Sequence, residues 1–145
     1  MGEFARTLQT AIRDRLVATT EGFEWHEEYD VGGTPVDVVG VPTTASASAS
    51  DGERVLVAVE LEVRRADPAN NAVKLLRHLD AGALDRYDRV VVCQAFSNYY
   101  DLASGGVSTK RRNAVFVGER GEIRTQSGRV DRDTTFEEPV SLSGL

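Results

Sequence analysis

The chain has 145 residues, enough for one domain with one hydrophobic core. A hydrophobic fraction of 41% and a charged fraction of 28% are typical of a globular protein and argue against wholesale disorder. No apolar run approaches the roughly 20 residues of a membrane helix. The N-terminus MGEFARTLQT lacks the apolar segment of a signal peptide, so we expect a cytoplasmic protein without a membrane partner.

The charge balance is acidic and poor in lysine. There are 23 acidic residues against 17 basic ones, giving a net charge of −6, and only Lys74 and Lys110 among the basic residues are lysines. This composition resembles that of proteins from salt-loving microbes, whose surfaces carry many hydrated carboxylates. It weighs against a broad basic patch for nucleic acid, although a local basic face remains open.

The first elements are a helix and two strands. Residues 3–17 have the apolar spacing of an amphipathic helix, with Leu8 in the apolar stripe and Gln9 on the polar side. Residues 23–29 alternate between aromatic and polar side chains, which predicts a strand. A Gly-Gly turn separates it from a valine-rich second strand over residues 35–41.

A third strand, a helix and a fourth strand follow. The small-residue stretch over 42–53 predicts a mobile surface loop, and VLVAVELEV over 55–63 predicts the third strand. Asp67-Pro68 has the pattern of a helix start, and Gly82 is a plausible stop. The continuous apolar run within 88–95 indicates a central strand.

The remaining sequence is less regular. Residues 97–112 fit a loop with a short helix, and residues 114–117 and 123–125 have the composition of late short strands. We therefore predict one α+β domain over residues 1–125, followed by a polar tail over residues 126–145.

Three carboxylates occupy the predicted strands. Glu60 and Glu62 are two residues apart, so they share a face of the third strand. If the second and third strands form an antiparallel hairpin centred on the intervening loop, Asp37 stands opposite Glu60, and a slip of two residues places it opposite Glu62. Such a cluster repels itself, and a divalent cation would relieve the repulsion. The alternative is a solvated sheet face on which Arg64 and Arg65 pair with the glutamates.

These residues resemble a known family. An Asp in a second strand (Val36-Asp37-Val38-Val39-Gly40), an acidic pair at the end of a third (Glu60-Leu61-Glu62) and a following helix resemble the PD-(D/E)xK restriction-endonuclease-like nucleases over about residues 3–95. The resemblance implies a core of helix, three-stranded meander, helix and further strand around a mixed central sheet. It also implies that Asp37 and Glu60 bind Mg²⁺ or Mn²⁺ for DNA phosphodiester hydrolysis, with Glu62 as a further ligand or base.

One position departs from the family pattern. Most members have lysine where Glu62 stands; a minority have glutamate, and in others the lysine has moved to the following helix. This chain has Lys74 there, one helical turn from Asn71, in a sequence where most basic positions are arginine. Lys74 is therefore a candidate catalytic residue, with Asn71 beside it. Glu28 is a possible additional carboxylate of the site.

Other residues have two readings each. The cluster Lys110-Arg111-Arg112 is a candidate phosphate contact or a solvated run. Gln94, at the end of the fourth strand, and Tyr99 or Tyr100 just beyond it are candidates for lining a cleft or for edge packing.

The leading hypothesis is a Mg²⁺-dependent DNA endonuclease. With little room for a sequence-reading domain, we expect a homodimer or a partner protein to help grip the substrate. The alternative is a non-catalytic nucleic-acid-binding or assembly module on the same scaffold. A weaker reading is an enzyme that uses His26 with Glu24 or Glu28.

Overall fold

The computed structural model describes residues 2–43, 53–64 and 66–120. Its elements, in chain order, are α1 (Glu3–Thr19), β1 (Phe23–Val31), β2 (Thr34–Pro42), β3 (Val55–Glu62), α2 (Pro68–Asp80), β4 (Arg89–Phe96), a 3₁₀ turn (Asn98–Tyr100), β5 (Asp101–Leu102), β6 (Gly106–Val107) and α3 (Thr109–Arg120). No helix in these described ranges is long and apolar enough to cross a membrane.

The main sheet is mixed and four-stranded. Its order is β1-β2-β3-β4, in which β1, β2 and β3 form an antiparallel meander and β4 runs parallel to β3. The parallel pair requires a crossover connection, which α2 provides. The predicted α+β arrangement of helix, meander, helix and strand around a mixed sheet is thereby confirmed.

Both faces of the sheet are covered. One core contains Leu56 and Ala58 of β3 packed with Leu75 and Leu79 of α2. The second core lies on the other face and joins Val59 and Leu61 of β3 to the apolar stripe of α1. The strictly alternating side chains of β3 explain the two cores, because successive residues of a strand point to opposite faces.

The second helix begins as its sequence predicts. Asp67 is the N-cap and accepts a hydrogen bond from the backbone N–H of Asn70 at 3.3 Å, while Pro68 occupies the first turn. After the helix ends at Asp80, Gly82 takes a φ of 84°, a left-handed conformation that favours glycine. The cap and the glycine together set the length of the crossover.

Trp25 is half-buried and depends on a glycine in the neighbouring strand. The two residues are register partners, and a Cβ added to Gly40 would lie 2.8 Å from Cη2 and Cζ3 of the indole. The indole N–H donates to Thr20 Oγ1 at 2.9 Å. Gly40 therefore provides the space in which the ring packs onto the α1 side of the sheet.

The starts of β3 and β4 are joined by a carboxylate. Asp88 Oδ2 accepts the backbone N–H of Arg54 at 2.7 Å and its Nε at 3.2 Å. The hydrogen bond from the Arg54 backbone, and then that from its side chain, lower the pKa of Asp88 below the usual aspartate value. This contact lies at the end of the strands opposite to Glu62.

The predicted strand over residues 114–117 is wrong, because these residues belong to α3. Four consecutive apolar residues carry no periodicity that separates a strand from a buried helical segment. The helix start was missed as well: Ser108 Oγ accepts the backbone N–H of Arg111 at 3.4 Å, as an N-cap residue does.

Three further predictions lie outside the described residues in whole or in part. These are most of the loop over 42–53, the strand over 123–125 and the tail over 126–145.

Candidate functional site

Three carboxylates are buried on neighbouring strands. The relative exposure is 4% for Asp37 of β2, 5% for Glu60 and 0% for Glu62 of β3. Carboxylates withdrawn from water to this degree require hydrogen-bond donors, cationic partners or a metal. The alternative in which Glu60 and Glu62 belong to a solvated face is therefore excluded.

Asp37 lies where β2 and β3 separate. The two strands pair in antiparallel register from Gly40 opposite Val57 to Val38 opposite Val59. Extending this register by one residue places Asp37 opposite Glu60. Beyond Val38 the contact between the strands is made by a side chain, because Asp37 Oδ2 accepts the backbone N–H of Leu61 at 2.7 Å. The carboxylate is thus fixed at the level of the two glutamates.

Near Asp37 the regular alternation of side chains between the two faces of the sheet is interrupted in β1 and β2. Val36 and Val39 both belong to the core beneath α2, whereas Val38 belongs to the core beneath α1. Strict alternation would place Val36 with Val38. Opposite this break on β1, Glu28 has a φ of 51°, a left-handed conformation that is uncommon for residues other than glycine. The break gives Asp37 and Glu28 orientations that a regular hairpin would not provide.

Gln9 of α1 joins these two acidic residues. Its Nε2 donates to Glu28 Oε1 at 3.1 Å and to the backbone carbonyl of Asp37 at 2.7 Å. The side chain is only 1% exposed, so its assignment to the polar side of the helix is wrong. Helical spacing gave no signal for this role, because the partners of Gln9 are 19 and 28 residues away along the chain.

Glu62 is contacted by two side-chain amides. Asn71 Nδ2 donates to its Oε1 at 3.1 Å, and Gln94 Nε2 approaches the same oxygen at 3.4 Å. Gln94 is 4% exposed and is the register partner of Glu60 on β4. Its Oε1 is buried and has no hydrogen-bond partner among the described residues. Gln94 therefore adds an unsatisfied oxygen beside the glutamates.

The structure separates Asn71 from Lys74. Asn71 is half-buried and reaches Glu62, which places the first turn of α2 beside the end of β3. Lys74 lies three residues further along the same helix and is exposed to solvent. The helix thus brings the amide to the carboxylates and leaves the ammonium group at the surface.

The predicted basic cluster is divided between interior and surface. Arg111 is 9% exposed, and its Nη1 donates to Asp101 Oδ1 at 3.0 Å. Its guanidinium carbon lies 5.3 Å from the ring centroid of Phe96. Lys110 and Arg112 are exposed on the first turns of α3. The exposed pair remains accessible to a phosphate, whereas Arg111 fastens α3 to the end of β4.

The other sequence alternatives have different surroundings. His26 Nε2 lies 3.6 Å from Glu24 Oε1, and both side chains are substantially exposed, as expected of a surface pair. Arg64, considered as a partner for the glutamates, has its guanidinium over the ring of Tyr99. Arg65 lies outside the described residues.

The donor set is chemically suited to a hard divalent cation. Within the described ranges, no group of three or more His, Cys, Asp or Glu side chains is arranged so that it could hold a metal ion. Mg²⁺, however, usually binds through one or two carboxylates together with waters and substrate phosphate. Asp37 and Glu60 supply two carboxylates on adjacent strands, and the buried Gln94 Oε1 is a neutral oxygen donor nearby.

Comparisons with protein-family models, with curated proteins and with solved structures found no match to this chain.

Proposed function

We propose that this protein is a divalent-metal-dependent endonuclease that hydrolyses phosphodiester bonds in DNA. The observation that carries the proposal is the burial of Asp37, Glu60 and Glu62 on two adjacent strands, near the point where β2 separates from β3. The mixed α+β fold, with its four-stranded mixed sheet, is compatible with this proposal.

Asp37 and Glu60 would hold Mg²⁺ or Mn²⁺, and Glu62, which forms no three-carboxylate metal group with them in the described part of the chain, would act as the base that orients water. A cation bound there would neutralise charge developing on the scissile phosphate and favour ionisation of the attacking water. The hydrogen bond from Leu61 N–H fixes one oxygen of Asp37 before any substrate arrives. Such preorganisation lowers the reorganisation needed at the moment of reaction.

The glutamate at position 62 is positioned by its amide neighbours. Asn71 and Gln94 both approach Oε1, so the orientation of the carboxylate is set from α2 on one side and from β4 on the other. Fixing a base in this way reduces the number of unproductive geometries. Asn71 is therefore a positioning residue for Glu62.

Lys74, although it lies at the surface here, would supply the positive charge of the reaction once DNA is bound. Its ammonium group is free to turn on a flexible side chain at the surface of α2, the helix that carries Asn71 to Glu62. With DNA bound, Lys74 would stabilise the developing phosphorane charge or the attacking water. The exposed Lys110 and Arg112 would contact the phosphate backbone, and a second copy or a partner protein would complete the grip on the substrate.

The test combines metal binding with cleavage. Calorimetry with Mn²⁺ and cleavage of plasmid and oligonucleotide DNA are compared for the wild type and Glu60→Gln, a variant of nearly the same shape. We expect the variant to lose at least about tenfold in Mn²⁺ affinity and most of its cleavage activity. The matched control is Glu24→Gln, because the Glu24 side chain is 72% exposed on β1 and pairs with His26.

Two outcomes would contradict the proposal. A folded wild type that neither binds Mn²⁺ nor cleaves DNA would favour the non-catalytic nucleic-acid-binding or assembly module. Equal losses in Glu60→Gln and Glu24→Gln would mean that general surface charge, and not the buried cluster, is responsible for metal binding.

A further inference from the structure

The chain segments that leave β3 and β4 are tied together directly after Glu62. Glu62 and Phe96 are register partners in the parallel pair. The backbone N–H of Ser97 donates to the carbonyl of Glu62 at 3.0 Å, and its hydroxyl donates to the carbonyl of Val63. The residues that follow both strands therefore form one rim beside the candidate site.

An arginine and a tyrosine from these two segments meet on that rim. The guanidinium carbon of Arg64 lies 5.5 Å from the ring centroid of Tyr99. Tyr99 is 50% exposed, a large fraction for an aromatic residue with no charge of its own. Arg64 is also exposed. The two side chains thus present a planar cationic group and an aromatic ring to solvent.

The ring of Tyr99 packs against a buried aromatic residue. Tyr100 is 1% exposed, and its ring lies 5.2 Å from that of Tyr99 at an interplanar angle of 84°. Tyr100 in turn packs edge-on against Phe96 at 5.5 Å. A ring held by a buried aromatic neighbour loses little further rotamer freedom on binding, which favours its use as a rigid contact.

Along the chain, Arg64 lies within about two nucleotide spacings of Glu62. Arg64 is two residues beyond Glu62 in the chain, so their Cα atoms are at most about 7 Å apart. Consecutive bases of one strand are about 3.4 Å apart along a duplex. A phosphodiester beside Glu62 would therefore have a neighbouring base within reach of Tyr99 and Arg64.

Tyrosine and arginine planes bind the faces of nucleobases. Bases within an intact duplex already stack on their neighbours, so only an unpaired or extruded base presents a free face. Stacking on aromatic side chains is tolerant of sequence, and arginine adds a cation–π contribution. The chemistry of the rim therefore selects for unpaired nucleotides.

We infer that Tyr99 and Arg64 form a stacking platform for an unpaired base next to the scissile phosphodiester. The substrate class is DNA with a single-stranded segment, such as a single strand, a flap or a frayed end, in preference to an intact duplex. This inference rests on the proposed nuclease function for its placement beside the scissile bond. The stacking itself does not require cleavage.

The test uses an oligonucleotide that carries one 2-aminopurine in a single-stranded region, with fluorescence quenching as the readout of stacking. Binding is measured at low salt in EDTA and again in Ca²⁺, so that catalysis plays no part. We expect Tyr99→Leu to weaken binding about tenfold, which corresponds to about 1.4 kcal/mol, and to abolish the quenching. Tyr99→Phe should retain both.

A second arginine–tyrosine pair provides the matched control. Arg86 lies over the ring of Tyr87 at 4.9 Å, just before the start of β4 and thus at the opposite end of the sheet. Arg64→Ala should weaken binding of the single-stranded probe, whereas Arg86→Ala should leave it unchanged.

The inference is overturned if the wild type fails to quench 2-aminopurine in both buffers. It is also overturned if Tyr99→Leu binds as the wild type does, or if intact duplex binds as tightly as the single-stranded probe. A protein that cleaves DNA with an unchanged substrate preference in Tyr99→Leu would refute the platform and leave the proposed function standing. Quenching without any cleavage would support the platform and count against the nuclease.

Discussion

Replacing Gln9 by glutamate isolates the role of its amide. Gln9 Nε2 donates both to Glu28 Oε1 at 3.1 Å and to the carbonyl of Asp37 at 2.7 Å. An ionised glutamate has the same shape but only accepts hydrogen bonds. In its ionised form Gln9→Glu therefore removes both donations and places a second carboxylate against Glu28, at position 9, which is 1% exposed.

Protonation of the introduced carboxyl limits how far Gln9→Glu can destabilise the fold. Two carboxylates about 3 Å apart repel by at most several kcal/mol at an effective dielectric constant near 20, and the exposure of Glu28 reduces this repulsion by solvent screening. Because position 9 itself is buried, the introduced carboxyl will bind a proton and donate it to Glu28. Protonating a carboxyl of reference pKa about 4.3 at pH 7 costs about 3.7 kcal/mol. We expect Gln9→Glu to be destabilised by up to that amount at pH 7, with the lost backbone contact adding about 1 kcal/mol.

The sign of the pH dependence follows from the raised pKa of the introduced carboxyl. Because the folded state favours its protonated form, the penalty decreases as pH falls, by about 1.4 kcal/mol per unit until the reference pKa is reached. Urea unfolding of wild type and variant at pH 7 and pH 5 measures this difference. The control is Ala11→Glu at an exposed position of the same helix, expected to stay within about 0.5 kcal/mol of wild type. A penalty for Gln9→Glu below that level, or one independent of pH, would refute the reasoning.

Three other predictions concern single positions. Lys74→Arg should lose most DNA cleavage while keeping Mn²⁺ affinity, because arginine keeps the charge but changes the donor geometry; cleavage at the wild-type rate would exclude a catalytic role for Lys74. Gly40→Ala should lower stability by about 1–3 kcal/mol through overlap with Trp25, whereas Gly106→Ala, where a Cβ meets nothing within 4 Å, should melt as the wild type does. The lowered pKa of Asp88 means that its contribution to stability is present above the unfolded pKa and is lost as pH falls. The stability difference between wild type and Asp88→Asn should therefore shrink in acid titrations followed by circular dichroism, and a constant difference would contradict the assignment.

Local patterns predicted the elements that local physics controls. The alternation in residues 55–63 and the cap at Asp67 are each read within a few residues, and both are found in the structure. The hairpin register followed from the loop length alone, and the pair Val38–Val59 confirms it.

The features that sequence reasoning missed depend on distant neighbours. Gln9 is turned inward by acceptors on β1 and β2, and no helical periodicity reports such partners. Arg111 was grouped with two surface neighbours, yet Asp101 and Phe96 draw its guanidinium into the interior. In each case a tertiary contact outweighs the local preference for solvent.

At Glu28 the left-handed backbone favours glycine for stability, whereas the contact with Gln9 requires a carboxylate. A residue with a Cβ costs about 1–2 kcal/mol in this conformation, so glycine at this position would stabilise the break in β1. Glycine would also remove the carboxylate that Gln9 holds. Selection of this chain for heat resistance alone would therefore favour Glu28→Gly, which removes an acidic group beside the metal ligands we propose. Thermostable variants should be checked for this substitution before their activities are compared.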